Sequence, residues 1–176
     1  PIAGAAEGDV DLAVAAAKAA FPAWAKMAAH DRGALMLKLA DAIEARAEEF
    51  IALEALDTGH PVMDARRLDV PRTVLCFRYF GGMADKLQGD VLPVAAGFLN
   101  YVKREPIGVV GQIVPWNFPL MFTSWKLGPA LAAGNTVVMK PSELTPLSTL
   151  RIAELALEVG FPPGVLNVVP GYGHTA

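Results

Sequence analysis

A single cysteine, Cys76, stands among the 176 residues. An internal disulfide is therefore excluded, and this usage fits a reducing compartment, with the cytoplasm as the expected location. The thiol sits in Val74-Leu75-Cys76-Phe77-Arg78, inside a predicted helix and with no histidine near it in sequence. That setting reads as a buried packing cysteine rather than a nucleophile. Histidine is scarce as well. His30, His60 and His174 are isolated and lack metal-ligand spacing, so no metal is expected. Charged residues make up only 19% of the chain, against about 25% in an ordinary soluble domain. The formal net charge is −3 and the Lys and Arg residues are scattered, so no basic stripe offers itself to nucleic acid. No internal repeat, low-complexity linker or secretory leader is seen.

Long uncharged runs are few too. The one that matters is Pro106 to Trp125, 20 residues without a formal charge. It contains Gln112, Pro115, Asn117, Pro119 and two glycines, and its period changes midway. Those features suit a buried strand, turn and helix rather than a membrane span. No membrane partner is expected.

What the chain has in quantity is apolar surface. The hydrophobic fraction is 53% and mean hydropathy is +0.37. The length is enough for one domain with a real core. The excess predicts an apolar face covered by something else, and both ends, Pro1 and Thr175-Ala176, read as cuts.

Taken in order, the first 97 residues read as helical. Asp9 or Asp11 can cap a helix running to about Lys26. A second helix is predicted from His30-Asp31 to Asp57, its apolar face made of Leu35, Leu39, Ile43, Phe50 and Leu53. Gly59 and Pro61 end it. A third helical region spans Ala65 to Leu87, with a kink or late start expected at Pro71. Residues 98–105 alternate weakly and read as an extended arm. Residues 106–176 read as βαβαβ. Ile107 to Val114 is an apolar run of the kind a buried parallel strand shows, and Pro115 stops it. Asn117 before Phe118-Pro119 reads as an N-cap. A helix then runs to Gly134, and Thr136-Val137-Val138-Met139 is a second strand ending on Lys140. Thr145-Pro146 opens another helix, apolar on more than one side and so expected to be covered on both. Val165 to Val169 is the third strand. The expected fold class is thus α/β, a Rossmann-like parallel sheet preceded by a helical region and an arm.

Strand ends of such a sheet share one carboxyl edge, where ligands bind. Here that edge receives Asn117 and Lys140. Lys140-Pro141-Ser142-Glu143 holds a cation and a carboxylate three apart in a stiff turn. Such a pair can bracket a ribose, Glu143 accepting from its vicinal hydroxyls; a solvated surface pair is the alternative. Asn117 can donate its amide NH2 to a developing oxyanion, or can merely cap its helix. Gly171-x-Gly173-x-x-Ala176 fits a dinucleotide fingerprint in spacing, but the helix it requires is not among these residues, and glycines in a turn after a strand are common.

Several stretches together resemble one family. They are Gly111-Gln112-Ile113-Val114-Pro115-Trp116-Asn117-Phe118-Pro119, Trp125-Lys126-Leu127-Gly128-Pro129-Ala130-Leu131, Gly134-Asn135, Lys140-Pro141-Ser142-Glu143 and Gly160-Phe161-Pro162-Pro163-Gly164-Val165. In this order they resemble the NAD(P)-dependent aldehyde dehydrogenase superfamily, over essentially the whole chain. The resemblance implies that Ile113, Pro115 and Trp116 line a cofactor channel, and that Lys140 and Glu143 hold the adenosine ribose, with Ser142 beside them. It implies that Asn117 is the oxyanion amide and that Phe118, Phe122 and Trp125, on one helix face, line the aldehyde tunnel. The arm resembles a strand of an oligomerisation hairpin, in a homodimer or homotetramer. NAD is the implied cofactor, with NADP left open, and an aldehyde the implied substrate. The family's chemistry also needs a cysteine nucleophile and a glutamate base, and Cys76 does not match. The chain therefore reads as the first third to half of such an enzyme, inactive alone. The competing reading is a non-catalytic fragment or degenerate relative that keeps the fold for binding or structure.

Overall fold

The computed structural model describes residues 2–176. Helix α1 (Glu7–Lys26) starts earlier than Asp9, and the Asp9 carboxylate accepts the Ala6 amide at 2.9 Å. The single helix expected from His30 to Asp57 is two helices, α2 (Ala29–Ala45) and α3 (Ala47–Thr58), broken at Arg46. No glycine or proline marks that break. It lets α2 pack against α5 while α3 turns onto α7, and Arg46 reaches Glu158 of α7 at 2.8 Å. Gly59, at φ +79°, takes the left-handed conformation that ends α3.

A short turn α4 (Val62–Asp64) leads into one wide π-helical turn, Ala65–Asp69, and then α5 (Val70–Met83). Pro71 accounts for the widening. Its ring would crowd the Arg67 carbonyl four residues back, and the wider turn relieves that contact. Asp69 comes out fully buried as a result. Helices α2 and α5 cross where Gly33 faces Gly81; a Cβ on Gly33 would lie 2.5 Å from the Gly81 carbonyl oxygen.

The arm is half of a hairpin. Strand β1 (Val91–Leu92) pairs antiparallel with β2 (Asn100–Tyr101), and both are exposed. The main sheet is parallel, in the order β3 (Val109–Ile113), β4 (Thr136–Lys140), β5 (Leu166–Val168). Helix α6 (Pro119–Ala132) crosses from β3 to β4, and α7 (Leu147–Glu158) from β4 to β5. This is the Rossmann-like α/β arrangement expected.

Every residue of β4 is buried, and its side chains alternate between two layers. Val137 and Met139 join Leu120, Leu127, Leu131, Ile152 and Leu155 in the main core. Val138 faces the other way, onto Ala17 of α1 and Val169. The strand expected to be buried, β3, lies at the sheet edge and is only partly covered: Gly111 and Ile113, on the face that Val138 shares with α1, are exposed, whereas Val109 at the other end of that face packs against the α1 cluster. Helix α7 is likewise covered on one side only: Ile152, Leu155 and Ala156 are buried and Leu157 is exposed. Arg32 ties the layers together, with its guanidinium donating to the Met27 and Ala132 carbonyls. Burial lowers its pKa. Among the described residues no helix is long and apolar enough to cross a membrane.

Candidate functional site at the carboxyl edge of the sheet

Strand register brings the candidate residues together. Ile113 lies opposite Lys140, so β3 and β4 end level, and the Val114 amide donates to the Lys140 carbonyl at 3.1 Å. The loops leaving the two strands therefore meet at one edge. After β3 come Pro115, Trp116 and Asn117, all exposed; Ile113 is 73% exposed and Trp116 59%. These four form an open ledge with an amide at its end. After β4 comes the Lys140–Glu143 turn. Lys140 is only 9% exposed, and its ammonium donates to the Pro141 carbonyl at 3.0 Å and stands 3.6 Å from the Glu143 carboxylate. Glu143 remains exposed. A nearly buried cation is thus held against an accessible carboxylate, which the surface-pair alternative does not require. Ser142 accepts the Leu144 amide at 3.2 Å and keeps its own hydroxyl proton free to donate.

Thr145 locks the two loops together. Its hydroxyl donates to the Trp116 carbonyl at 3.0 Å. The sequence alone assigns Thr145 no role beyond opening α7, and the long-range bond has no local signal. A cavity of about 390 Å³ opens beside the turn, lined by Glu143, Leu144, Pro146, Gly171 and Tyr172 together with Asp57. The glycine turn predicted after the third strand therefore borders the same space as Glu143. Residues 171–176 form turns with no helix.

Two expectations need correcting. Asn117 does not cap α6; the N-cap position is Phe118, with no side-chain capping bond, and the helix starts at Pro119. The reason is tertiary. The buried Glu54 carboxyl on α3 faces the Leu120 amide in the first turn of α6, and the Asp57 carboxylate accepts the Leu147 amide of α7 at 2.8 Å. Two acids at the end of α3 thus lie at the N-termini of α6 and α7, and of the two Asp57 makes the hydrogen bond. Phe118 does not share a helix face with Phe122 and Trp125 either. It precedes the helix, and its ring packs on His60 at 4.9 Å between centroids. Phe122 and Trp125 form a separate edge-to-face pair at 5.2 Å. Cys76 is half-buried in α5, its thiol donating to the Ser124 carbonyl at 3.3 Å; burial pushes its pKa up, away from thiolate chemistry.

His60 is not isolated. Its Nδ1 lies 2.8 Å from Asp69 Oδ2, and ligand atoms of Glu54, His60 and Asp69 all lie within 4.8 Å of one another. Both Glu54 oxygens are buried without a partner at hydrogen-bonding geometry, as is Asp69 Oδ1. Burial first, and then the Asp69 charge, raise the Glu54 pKa to about 7; Ser148, His60 and the Leu120 amide offset part of the rise.

Comparison with known proteins identifies the class. The Aldehyde dehydrogenase family matches residues 1–176, and the chain belongs to that family. A mitochondrial aldehyde dehydrogenase of Leishmania tarentolae is 53% identical over 175 residues, covering 99% of this chain and 35% of that protein. The crystal structure of PnpE in complex with nicotinamide adenine dinucleotide is 74% identical, with a TM-score of 0.98 over 99% of this chain and 36% of its own. The NAD+ complex of an aldehyde dehydrogenase from Bacillus cereus is 51% identical, with a TM-score of 0.96 over 98% of this chain and 36% of its own. The chain spans about a third of the length of these relatives.

The buried acid makes a prediction about stability. Glu54 rises from an ordinary 4.5 to about 7, so the folded protein holds a proton that the unfolded chain releases. That contribution is complete below pH 4.5 and is lost as pH rises through about 7; its full size is about 3 kcal/mol. Glu54→Gln should therefore stabilise the full-length protein relative to wild type more at pH 8.5 than at pH 5.5. Denaturant midpoints at the two pH values measure this, and an equal difference at both would contradict it.

Proposed function

We propose that this chain is the cofactor-binding portion of an NAD-dependent aldehyde dehydrogenase that oxidises an aldehyde to a carboxylate when the protein is full-length. The observation that carries the reading is the level ending of β3 and β4, which sets the Asn117 amide and the Lys140–Glu143 pair on one edge beside an open cavity. The residues fit a dinucleotide. Glu143 is accessible and accepts from the two ribose hydroxyls, and Lys140 donates from beneath. Ile113, Pro115 and Trp116 give the remainder an apolar ledge. The bound NAD supplies a hydride acceptor. The chain's own part in the reaction is at Asn117. Free of a capping duty, its NH2 donates to the aldehyde oxygen as negative charge builds there. Phe122 and Trp125 wall the approach for an apolar aldehyde, with Phe118 set behind them on His60.

The exposed hairpin completes the proposal. Phe98, Leu99, Val91 and Tyr101 are all more than half exposed and make an apolar strip suited to a second subunit. The homo-oligomer we infer is a dimer or tetramer. The single half-buried thiol fits a reducing location such as the cytoplasm.

Two variants of the full-length protein test this. Asn117→Ala should lower kcat by about 10²-fold, the scale for losing one oxyanion donor, with NAD affinity nearly unchanged. Pre-steady-state kinetics on the chemical step decide it, and an unaltered rate would remove Asn117 from the mechanism. Glu143→Gln should shift the kcat/KM ratio from NAD toward NADP, because a carboxylate repels the 2′-phosphate and an amide does not. If the ratio stays where it was in wild type, the ribose role of Glu143 falls.

A further inference from the structure

The buried cluster of Glu54, His60 and Asp69 has no role in the proposed function, yet it sits beneath the loop on which that function depends. Three elements contribute. Glu54 comes from α3, His60 from the turn after it, and Asp69 from the π-helical turn. Glu54 and Asp69 have no exposed surface and His60 has little; its side chain is 20% exposed. The position of His60 is fixed at three points. Its backbone amide donates to Thr58 Oγ1 at 2.9 Å, Nδ1 pairs with Asp69 at 2.8 Å, and its ring rests on Phe118 at 4.9 Å. Phe118 is the N-cap residue of α6 and directly follows Asn117. Glu54 faces the same helix start through the Leu120 amide. The charges acting on Glu54 are Asp69 and His60; Thr73 on α5 and Ser148 on α7 are buried hydroxyls without partners.

Two buried carboxyl groups and one imidazole cannot hold every charge state equally. With both acids ionised the pocket carries two negative charges against one imidazolium at most, and the surplus has no solvent to screen it. Moving a proton on or off must change how strongly the Leu120 amide and the His60 ring are drawn to the cluster. Each of those groups belongs to, or rests on, the first turn of α6.

We propose that Glu54 and His60 are positioning residues for Asn117: the protonation state of the Glu54–His60–Asp69 cluster sets the start of α6 through the Leu120 amide and the Phe118 ring. This rests on Asn117 acting as the oxyanion amide only for its effect on rate; the structural coupling stands by itself. Among the described residues no hydrogen bond or ion pair joins the cluster to Lys140 or Glu143, so its effect falls on kcat rather than on NAD affinity.

The test uses the full-length protein with 4-fluorophenylalanine at position 118, read by 19F NMR from pH 5.5 to 8.5. The resonance should titrate through about pH 7 in wild type. It should lose that titration in Glu54→Gln, and lose or displace it in His60→Gln. In parallel, the ratio of wild-type to Glu54→Gln kcat at saturating NAD should change about threefold or more between pH 6 and 8.5, with KM for NAD unmoved. A flat 19F resonance in wild type, or an unchanged titration in Glu54→Gln, overturns the proposal. Asn117→Ala separates the two readings. If the resonance titrates and Asn117→Ala leaves the chemical step intact, the oxyanion role fails and the coupling stands. If the resonance is flat and Asn117→Ala is slow, the coupling fails and the oxyanion role stands.

Discussion

The parallel pairing of β3 with β4 is the constraint on which the rest of the site depends. Its register sets Ile113 against Lys140, so neither strand overhangs the other. Slipping by one residue would turn Val137 and Met139 out of the main core and Val138 into it. Burial on both faces of β4 therefore fixes the register, and the register fixes where the two loops emerge. The Val114 and Thr145 hydrogen bonds then hold those loops at a set separation. Core packing and ligand geometry are in this sense one decision. An apolar pattern chosen to fill the sandwich between α1 and the helices α6 and α7 also delivers an amide and an ammonium to the same edge.

A second economy lies in how helix ends are satisfied. The orphan amides at the start of α6 and α7 are not served by neighbouring side chains, as the sequence suggests. They face Glu54 and Asp57, two acids one helical turn apart on α3. Asn117, the cap expected for α6, makes no capping bond in this arrangement. The cost of the arrangement is a carboxyl group in an apolar interior, with a pKa pushed up accordingly. The wide turn before Pro71 belongs to the same design, since it delivers Asp69 into the pocket where His60 can pair with it.

Much of this is legible in the sequence because it is local. The βαβ unit from Pro106 to Lys140 announces itself by period and by Pro115, and the Lys140-Pro141-Ser142-Glu143 turn by charge spacing. The resemblance carried by the same stretches points to the family that comparison confirms. What escapes is non-local. Nothing between Ala45 and Ala47 signals a helix break, because its cause is the packing of α3 on α7. Asn117 has ideal chemistry for a cap, yet the helix begins two residues on at Pro119, with Phe118 at the N-cap and its ring on His60, 58 positions earlier. His60 looks solitary in sequence because its partners, Glu54 and Asp69, are brought to it by a turn and a π-helical bulge whose geometry has no fixed spacing. The placement of β3 at an edge likewise follows from strand order, which composition does not encode.

The central claim is that this sheet edge holds the adenosine ribose of NAD between Lys140 and Glu143. A crystal structure of the full-length protein with NAD+ bound tests it most directly. The account predicts both ribose hydroxyls within hydrogen-bonding distance, about 3.2 Å or less, of the Glu143 carboxylate and the Lys140 ammonium, with the remainder of the dinucleotide running along Ile113, Pro115 and Trp116 toward Asn117. An adenosine seated elsewhere, for example on the Gly171–Gly173 turn with Lys140 and Glu143 still paired to each other and touching no ligand, would contradict it.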